Sequence, residues 1–302
     1  MNASQRTSLK LDGLITLKTS LVHSEIYLGV DAKFAREKVL VNDKDTEWIP
    51  RLSGNAIRGQ LRDLAAAYYL DGLGLSTVPL KLFYLLFSGG SLSRGESKVD
   101  LELKRNIGAN VPLLSVWGCA IGNQMIHGRL KVGKAYPVAR ETERLLPERF
   151  RSMPKPSVWD LITEESMTRL DDVKDERGSR YCKEMAQQEP LPKESPIQMR
   201  YRVETLCPGT QLYHWFSLQW VTPVEIGCFL SALKRFQEHP HLGGMSAIGH
   251  GLVGMSYGEQ VAVSESRFEL SDELHGCLEA YNRFLKENTA SVKFLERLHD
   301  RL

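Results

Sequence analysis

The 302-residue sequence predicts an α+β fold. Some segments alternate apolar and polar residues as half-buried strands do, and others repeat apolar residues at three- and four-residue steps, as amphipathic helices do. Their order is strand, helix, a long excursion, a strand hairpin, helix and strand. Without the excursion, this order approximates the split β-α-β arrangement of a ferredoxin-like fold, which RNA-recognition domains also use.

The first strand and helix are predicted from short local patterns. Residues 14–22 alternate as a half-buried strand, and residues 23–40 are expected to form a connector. The turn Ser53-Gly54-Asn55 supplies residue types that cap a helix N-terminus. The helix that follows has an apolar stripe formed by Ile57, Leu61, Leu64, Ala65 and Tyr68.

The second half of the chain gives stronger signals. Residues 199–205 and 212–221 alternate on either side of a Pro208-Gly209 turn, which predicts a hairpin. A second helix starts after Thr222, because Pro223 and Glu225 complete the pattern of a capping box. The remaining elements are a final strand over 252–257 and C-terminal helices over 271–286 and 291–301.

The composition is that of an ordinary globular protein. Formal charge is 39 − 37 = +2, so a nucleic-acid surface would have to be a local groove. The five cysteines include no C-x-x-C pair, and the first ten residues have no apolar core like that of a signal peptide. The longest apolar run, 80–87, is too short to span a bilayer. These features predict a cytoplasmic protein without a membrane segment.

Two segments are candidates for anion binding. Asn55, Arg58 and Arg62 fall on one face of the first helix, beside its capped start, although a core helix with a solvated edge would look the same. The loop from Gly243 to Gly251 carries four glycines, which permits an anion-binding nest or a plain flexible turn.

Other candidates are weaker. His239, His241 and His250 have no nearby acid and no helical spacing, so a metal site is disfavoured. Tyr213 and Trp215 could stack on bases, or the C-terminal helices could cover them. Asp31 has no evident partner acid, and none of the usual hydrolase, metalloprotease or P-loop motifs occurs. The residues therefore give no argument for a self-contained enzyme and predict no cofactor.

Four segments, in order, resemble the motifs of CRISPR-associated RAMP proteins. Residues 49–62 resemble the signature I-P-G-S-S-L-R/K-G-x-x-R, and 116–135 resemble L-F-G … G-x-L-x-x-S-D-A. Residues 201–210 resemble the E-R-V-P-A-G-T hairpin, and 242–253 resemble the terminal glycine-rich loop. The resemblance implies one RNA-recognition-motif-like palm domain over 1–302, with a finger inserted at about 88–112, a thumb at 140–198, and C-terminal helices at 271–301.

Among RAMP proteins, the sequence most resembles the backbone subunits that polymerise head to tail along CRISPR guide RNA. The implied partners are the guide RNA, the complementary target strand, copies of the same chain and other subunits of the interference complex. The residues implied to hold guide-RNA phosphates, including helpers in the connector, are Lys33, Arg36, Lys38, Ser53, Asn55, Arg58, Arg62, Gly243, Gly244 and Ser246.

Departures from the motifs bear on the subtype. Arg51-Leu52 replaces the usual Gly-Ser, and Lys134 stands in place of the usual acid, which favours a non-catalytic type IV subunit. Two alternatives remain open. Asp31 lies near the place where type III backbone subunits carry the aspartate that cuts target RNA. A guide-processing nuclease would instead need a general base, for which His250 is the candidate.

Overall fold

The computed structural model describes residues 6–28, 31–90, 100–122, 124–170, 198–287 and 289–299. None of the helices in these ranges is long and apolar enough to cross a membrane. The first six strands are β1 (Thr7–Leu17), β2 (Leu21–Val22), β3 (Ser24–Leu28), β4 (Asp31–Phe34), β5 (Arg36–Leu40) and β6 (Thr46–Pro50). The next five are β7 (Gly118–Ile121), β8 (Gln124–His127), β9 (Leu130–Val132), β10 (Tyr136–Pro137) and β11 (Ile162–Leu170). The last five are β12 (Gln198–Leu206), β13 (Gln211–Val221), β14 (Val253–Tyr257), β15 (Val261–Ser264) and β16 (Arg267–Leu270).

The α-helices of the described residues are α1 (Gly54–Gly72), α2 (Leu80–Ser88), α3 (Leu101–Asn110), α4 (Pro112–Trp117), α5 (Glu148–Arg151), α6 (Pro223–Phe236), α7 (Asp272–Glu287) and α8 (Thr289–His299). Short 3-10 turns cover Arg140–Leu145, Val158–Leu161 and Ser246–Ile248. The predicted capping box of α6 is present: Thr222 accepts from the Glu225 amide, and the Glu225 carboxylate accepts from the Thr222 amide.

The main sheet is antiparallel and has the order β10-β13-β1-β14-β15-β16, with β9 also paired to β13. In chain order, α1 comes after β1, with the short strands β2–β6 between them, and α6 comes directly after β13. The central order β9-β13-β1-β14 is therefore that of a ferredoxin-like fold. Both helices pack into one core with the sheet, through residues such as Ile57, Leu61, Phe216 and Phe229. The predicted α+β class and ferredoxin-like core are confirmed.

The first strand is longer than predicted at its start and ends earlier. It begins at Thr7, because Leu9 and Leu11 already alternate with polar residues, and it ends at Leu17. Gly13 interrupts the apolar pattern in the sequence, but a Cβ there would lie 2.0 Å from the Ser256 carbonyl oxygen of β14. The glycine therefore permits close approach of two strands instead of ending one.

The predicted hairpin between residues 199–205 and 212–221 is wrong. β12 pairs with β11, β2 and β4 in a second sheet, whereas β13 lies between β1 and the β9 and β10 segments. The Pro208-Gly209 turn therefore carries the chain from one sheet to the other. Alternation marked both strands correctly, but it does not identify the pairing partner. The connector expected over 23–40 likewise forms β3, β4 and β5.

The two segments expected to form a finger and a thumb pack differently on the rest of the fold. Leu103 and Ile107 of α3 are buried in the main core, within the segment expected to form a finger. The segment 138–151 covers Tyr213 and Trp215, with the rings of Phe150 and Tyr213 5.6 Å apart. These two aromatic residues are thus covered by this segment, not by the C-terminal helices. Of the thumb expected over 140–198, residues 171–197 lie outside the described residues.

His214 on β13 generates a pH-dependence prediction. It is fully buried, its Nδ1 lies 2.7 Å from the Tyr257 hydroxyl, and burial lowers its pKa from 6.5 to about 3. Below pH 6.5 the unfolded chain therefore binds a proton that the folded protein does not. We expect this group to lower the free energy of unfolding by up to about 1.4 kcal/mol per pH unit as pH falls from 6.5 towards 3.

The measurement is urea unfolding, followed by circular dichroism, at several pH values between 7 and 4. The His214→Gln variant should lose less stability over this range than the wild type, and His127→Gln, at an exposed position of β8, serves as the control. Equal pH slopes for the wild type and His214→Gln would contradict the prediction.

Candidate nucleic-acid interface

The start of α1 is held by contacts from three parts of the chain. Ser53 caps the helix, because its hydroxyl accepts from the Asn55 amide at 3.2 Å, and its own amide donates to His23 Nε2 at 3.2 Å. Leu52 forms a β-bridge with Ala135, and a Cβ on Gly54 would lie 2.6 Å from the Gly133 carbonyl oxygen. The structure thus joins the first two sequence motifs and leaves the Asn55 side chain exposed at a helix N-terminus, where anions are favoured.

The glycine-rich loop contacts Val22 and α1, close to the helix cap. The Gly244 amide donates to the Val22 carbonyl at 2.8 Å, and Val22 precedes His23, the partner of the helix cap. Gly243 has a φ of +78°, and a Cβ there would lie 2.2 Å from that same carbonyl oxygen, so only glycine fits. Gln60 of α1 donates to the His241 carbonyl at 2.5 Å, which ties the helix to the loop. Ser53, Asn55, Gly243 and Gly244 therefore border one junction, with Ser246 exposed on the loop.

Arg58 is a half-buried cation next to this junction. It donates to the Trp117 carbonyl, and no carboxylate forms an ion pair with it among the described residues. Burial lowers its pKa, because the charged form loses hydration. A phosphate on its exposed side would supply the missing counter-charge.

Arg62, one turn further along the same helix, has a different role. It is 5% exposed, and it donates to the carbonyls of Leu85 (2.9 Å), Leu86 (2.8 Å) and Gly118 (3.0 Å). Two of these carbonyls belong to the last turn of α2, where a cation complements the helix dipole. Burial, together with the charge of Arg58, lowers the pKa of Arg62 to about 10. In this arrangement the Arg62 side chain holds α2 to α1 and does not face a ligand.

Lys33 and Arg36 of the connector are paired with acids. Both lie against Glu204 of β12, at 3.1 and 3.0 Å, and this buried carboxylate also accepts from the Phe34 amide. A hydrogen bond to Glu164 raises the pKa of Lys33, and Glu204 adds to the effect. Lys38 is exposed on β5, opposite Trp48 of β6, whose side chain is 60% exposed. Of the three cations predicted in the connector, only Lys38 has no carboxylate partner in the described part of the chain.

Asp31 and His250 are also held by contacts with other side chains. The Asp31 carboxylate accepts from Nε and Nη2 of Arg202, both at 2.9 Å, in the geometry of a bidentate ion pair. His250 is 5% exposed; its Nδ1 lies 2.8 Å from the Ser20 hydroxyl, and its Nε2 lies 3.6 Å from Glu165 of β11. These contacts join β4 to β12 and the glycine-rich loop to β11.

Sequence reasoning missed His23 and Gln60, which position the helix cap and the glycine-rich loop. His23 stood outside the motifs, and Gln60 occupies a variable position of the first one. Both act through contacts with residues distant in sequence: His23 bonds Ser53, and Gln60 bonds a residue 181 positions away. Many chains have a histidine directly after a strand or a glutamine near the start of a capped helix. Neither feature could therefore be identified as functional from the sequence.

The Arg62 geometry generates a stability prediction. Replacing Arg62 with Met leaves three buried carbonyls without charged donors, so the free energy of unfolding should fall by roughly 3 kcal/mol. Denaturant unfolding measures the change, with Lys81→Met on the exposed side of α2 as the control. An Arg62→Met protein as stable as the wild type would show that these contacts contribute little.

Comparisons with known proteins identify the family and a similar fold. No curated protein matches the sequence. The fold is similar to a solved chain described as "Type IV-B CRISPR Complex", with a TM-score of 0.57 and 24% identity over 87% of this chain and 94% of that chain. The RAMP superfamily model matches residues 22–254, a range that holds all four motifs, the helix cap and the glycine-rich loop. The chain belongs to the RAMP superfamily.

Proposed function

We propose that this protein is a non-catalytic backbone subunit of a type IV CRISPR interference complex. It binds guide RNA without sequence preference and polymerises head to tail along it, with other subunits in the same complex and the target strand paired to the guide. Membership of the RAMP superfamily and the similar fold of a type IV-B CRISPR complex chain support this proposal. The observation that carries it is the junction of helix cap, glycine-rich loop and Arg58.

The chemistry of the junction suits a phosphate backbone. Serine hydroxyls, the exposed side-chain amide of Asn55 and a helix N-terminus attract anions, as does the Arg58 guanidinium, which has no carboxylate partner among the described residues. Contacts of this kind with phosphates carry no sequence information. Sequence would be read by pairing between guide and target, as in other guide-dependent complexes. Of the residues predicted to hold RNA, we retain Lys38, Ser53, Asn55, Arg58, Gly243, Gly244 and Ser246, and assign Lys33, Arg36 and Arg62 to structural contacts.

Arg58→Ala should weaken RNA binding to a similar extent for guides of different sequence. It should also reduce the slope of log K against log salt by about 0.7, the value for one phosphate contact on a single strand. Fluorescence anisotropy with two unrelated RNA oligonucleotides between 50 and 200 mM salt provides the measurement.

Arg58→Lys tests whether charge alone is enough, and Lys234→Ala, on the exposed last turn of α6, controls for loss of any surface cation. An unchanged salt slope in Arg58→Ala, with wild-type stability, would remove Arg58 from the interface.

The target-cleaving alternative depends on Asp31, and the ion pair with Arg202 disfavours it. The guanidinium occupies one lone pair on each carboxylate oxygen, and its positive charge repels a metal cation, so a metal ion would have to compete with Arg202 for Asp31. We therefore expect no product when the guide-loaded wild-type complex is incubated with complementary RNA and Mg²⁺. Product from the wild type that disappears in Asp31→Ala would establish the alternative and refute the non-catalytic proposal.

The guide-processing alternative depends on His250, whose two ring nitrogens face Ser20 and Glu165 in a nearly buried site. This is the setting of a loop anchor, so we do not retain a general-base role for it.

A further inference from the structure

A basic cleft lies between α3 and the start of α6, at the end of the main sheet where β1 begins. The cavity has a volume of about 660 Å³. Four cationic side chains line it: Arg6, Lys104, Arg105 and Arg129. We use the name basic cleft for the cavity bordered by these four residues.

The positive charge of the basic cleft is largely uncompensated. Among the described residues that line it, the one acid is Glu225, which is 2% exposed and already accepts from the Thr222 amide and the Ser115 hydroxyl. Arg6 and Arg129 lie 3.6 and 3.3 Å from that same carboxylate. Lys104 and Arg105 are exposed, and in the ranges the structure describes neither has a carboxylate partner. Four cations therefore face one carboxylate that the protein already uses.

Apolar side chains accompany this charge. Leu101, in the first turn of α3, lines the basic cleft and is 61% exposed, and Val224 and Phe284 are half-buried in its wall. Arginines beside an aromatic residue such as Phe284 have the composition of a protein interface, in which arginine and aromatic residues are enriched.

Trp220, two residues before Thr222 of the cleft wall, adds a second observation. It is 73% exposed and has a φ of +55°, a left-handed conformation that is unfavourable for a non-glycine residue. Its carbonyl accepts from Arg6 at 2.7 Å and also from Arg129. Two arginines of the basic cleft thus stabilise a strained conformation that leaves a large aromatic side chain in solvent.

The basic cleft is separate from the candidate RNA interface. It lies at the first turn of α6, whereas the glycine-rich loop follows the last turn of that helix. The 14 residues of α6 span about 21 Å at 1.5 Å per residue. A ligand in the basic cleft would therefore occupy a different surface from the guide RNA.

We propose that the basic cleft docks an acidic segment, carrying an apolar anchor residue, from another protein chain of the same complex. The inference rests on the proposed function, since it requires that the protein act within a multisubunit assembly. A peptide is favoured over RNA because the most exposed apolar side chain of the lining, Leu101, is aliphatic, and the ring of Phe284 is half-buried in the wall and so presents little face for a base to stack on. One apolar side chain fits such a cavity while neighbouring carboxylates meet the arginines and lysines.

The test is site-specific photocrosslinking in the purified, guide-loaded complex. p-Benzoylphenylalanine is introduced at Leu101 and, as a control, at Phe83 on α2, which is 41% exposed and does not line the cleft. We expect position 101, and not position 83, to crosslink to a protein segment in which an apolar residue lies among aspartates or glutamates. Crosslinking to RNA alone, or yields equal to those of the control position, would overturn the proposal.

A charge-reversal variant gives a second readout. The double variant Lys104→Glu, Arg105→Glu should reduce the crosslink from position 101 at least fivefold, while Lys234→Glu should not. RNA retention, measured on the same preparations, should be unchanged in both. Unreduced crosslinking in a double variant that retains RNA would refute the cleft proposal alone. A wild-type protein that retains no RNA would refute the proposed function, whatever the crosslinking shows.

Discussion

The antiparallel pairing of β1 with β13 is the interaction on which the architecture depends. It runs from Thr7 opposite Val221 to Thr16 opposite Gln211, and its inner face buries Leu11 and Phe216 in the main core. Each of these strands leads towards one of the two central helices, so their pairing places α1 and α6 in the same core. The helix cap before α1 and the glycine-rich loop after α6 then meet at Val22 and His23. The candidate interface is thus a consequence of sheet order.

Sequence patterns predicted the four longest helices of the described residues, α1, α6, α7 and α8, but they missed the shorter helices and predicted strand partners poorly. The capping box of Thr222 and Glu225 and the apolar stripe of α1 act within one or two turns, so the residues that cause the structure are near each other in sequence. The register of a strand depends on residues far away. β12 has the alternation and the Pro-Gly turn of a hairpin, yet Val203 packs against Val22 and Ala32 in the second sheet. No local signal distinguishes these two outcomes.

The same limit applies to the candidate site. Ser53 and Gly243 could be recognised from the sequence, because an N-cap and a left-handed glycine are local requirements. The state of the charged residues could not. Arg36 pairs with a carboxylate 168 residues away, and Asp31 with a guanidinium 171 residues away. Arg58 and Arg62 have the correct spacing to share a face, but Arg62 lies deeper and has three carbonyl partners, whereas Arg58 is half-buried and has no carboxylate partner in the part of the chain that the structure describes.

Under the proposed function, the number of cations near the junction without an acid partner limits how strongly one subunit would retain RNA. Lys33 and Arg36 are neutralised by Glu204, and the buried Arg62 is held by carbonyls. One subunit would then offer only about one or two charges to the phosphate backbone, which is a weak and salt-sensitive contact. Tight retention then has to come from many subunits bound to one strand, since each bound copy raises the effective concentration of RNA at the next. Contacts between protein chains would therefore contribute as much to RNA retention as the RNA contacts do. A chain with a net charge of only +2 can hold RNA in this way without binding nucleic acid indiscriminately as a free monomer.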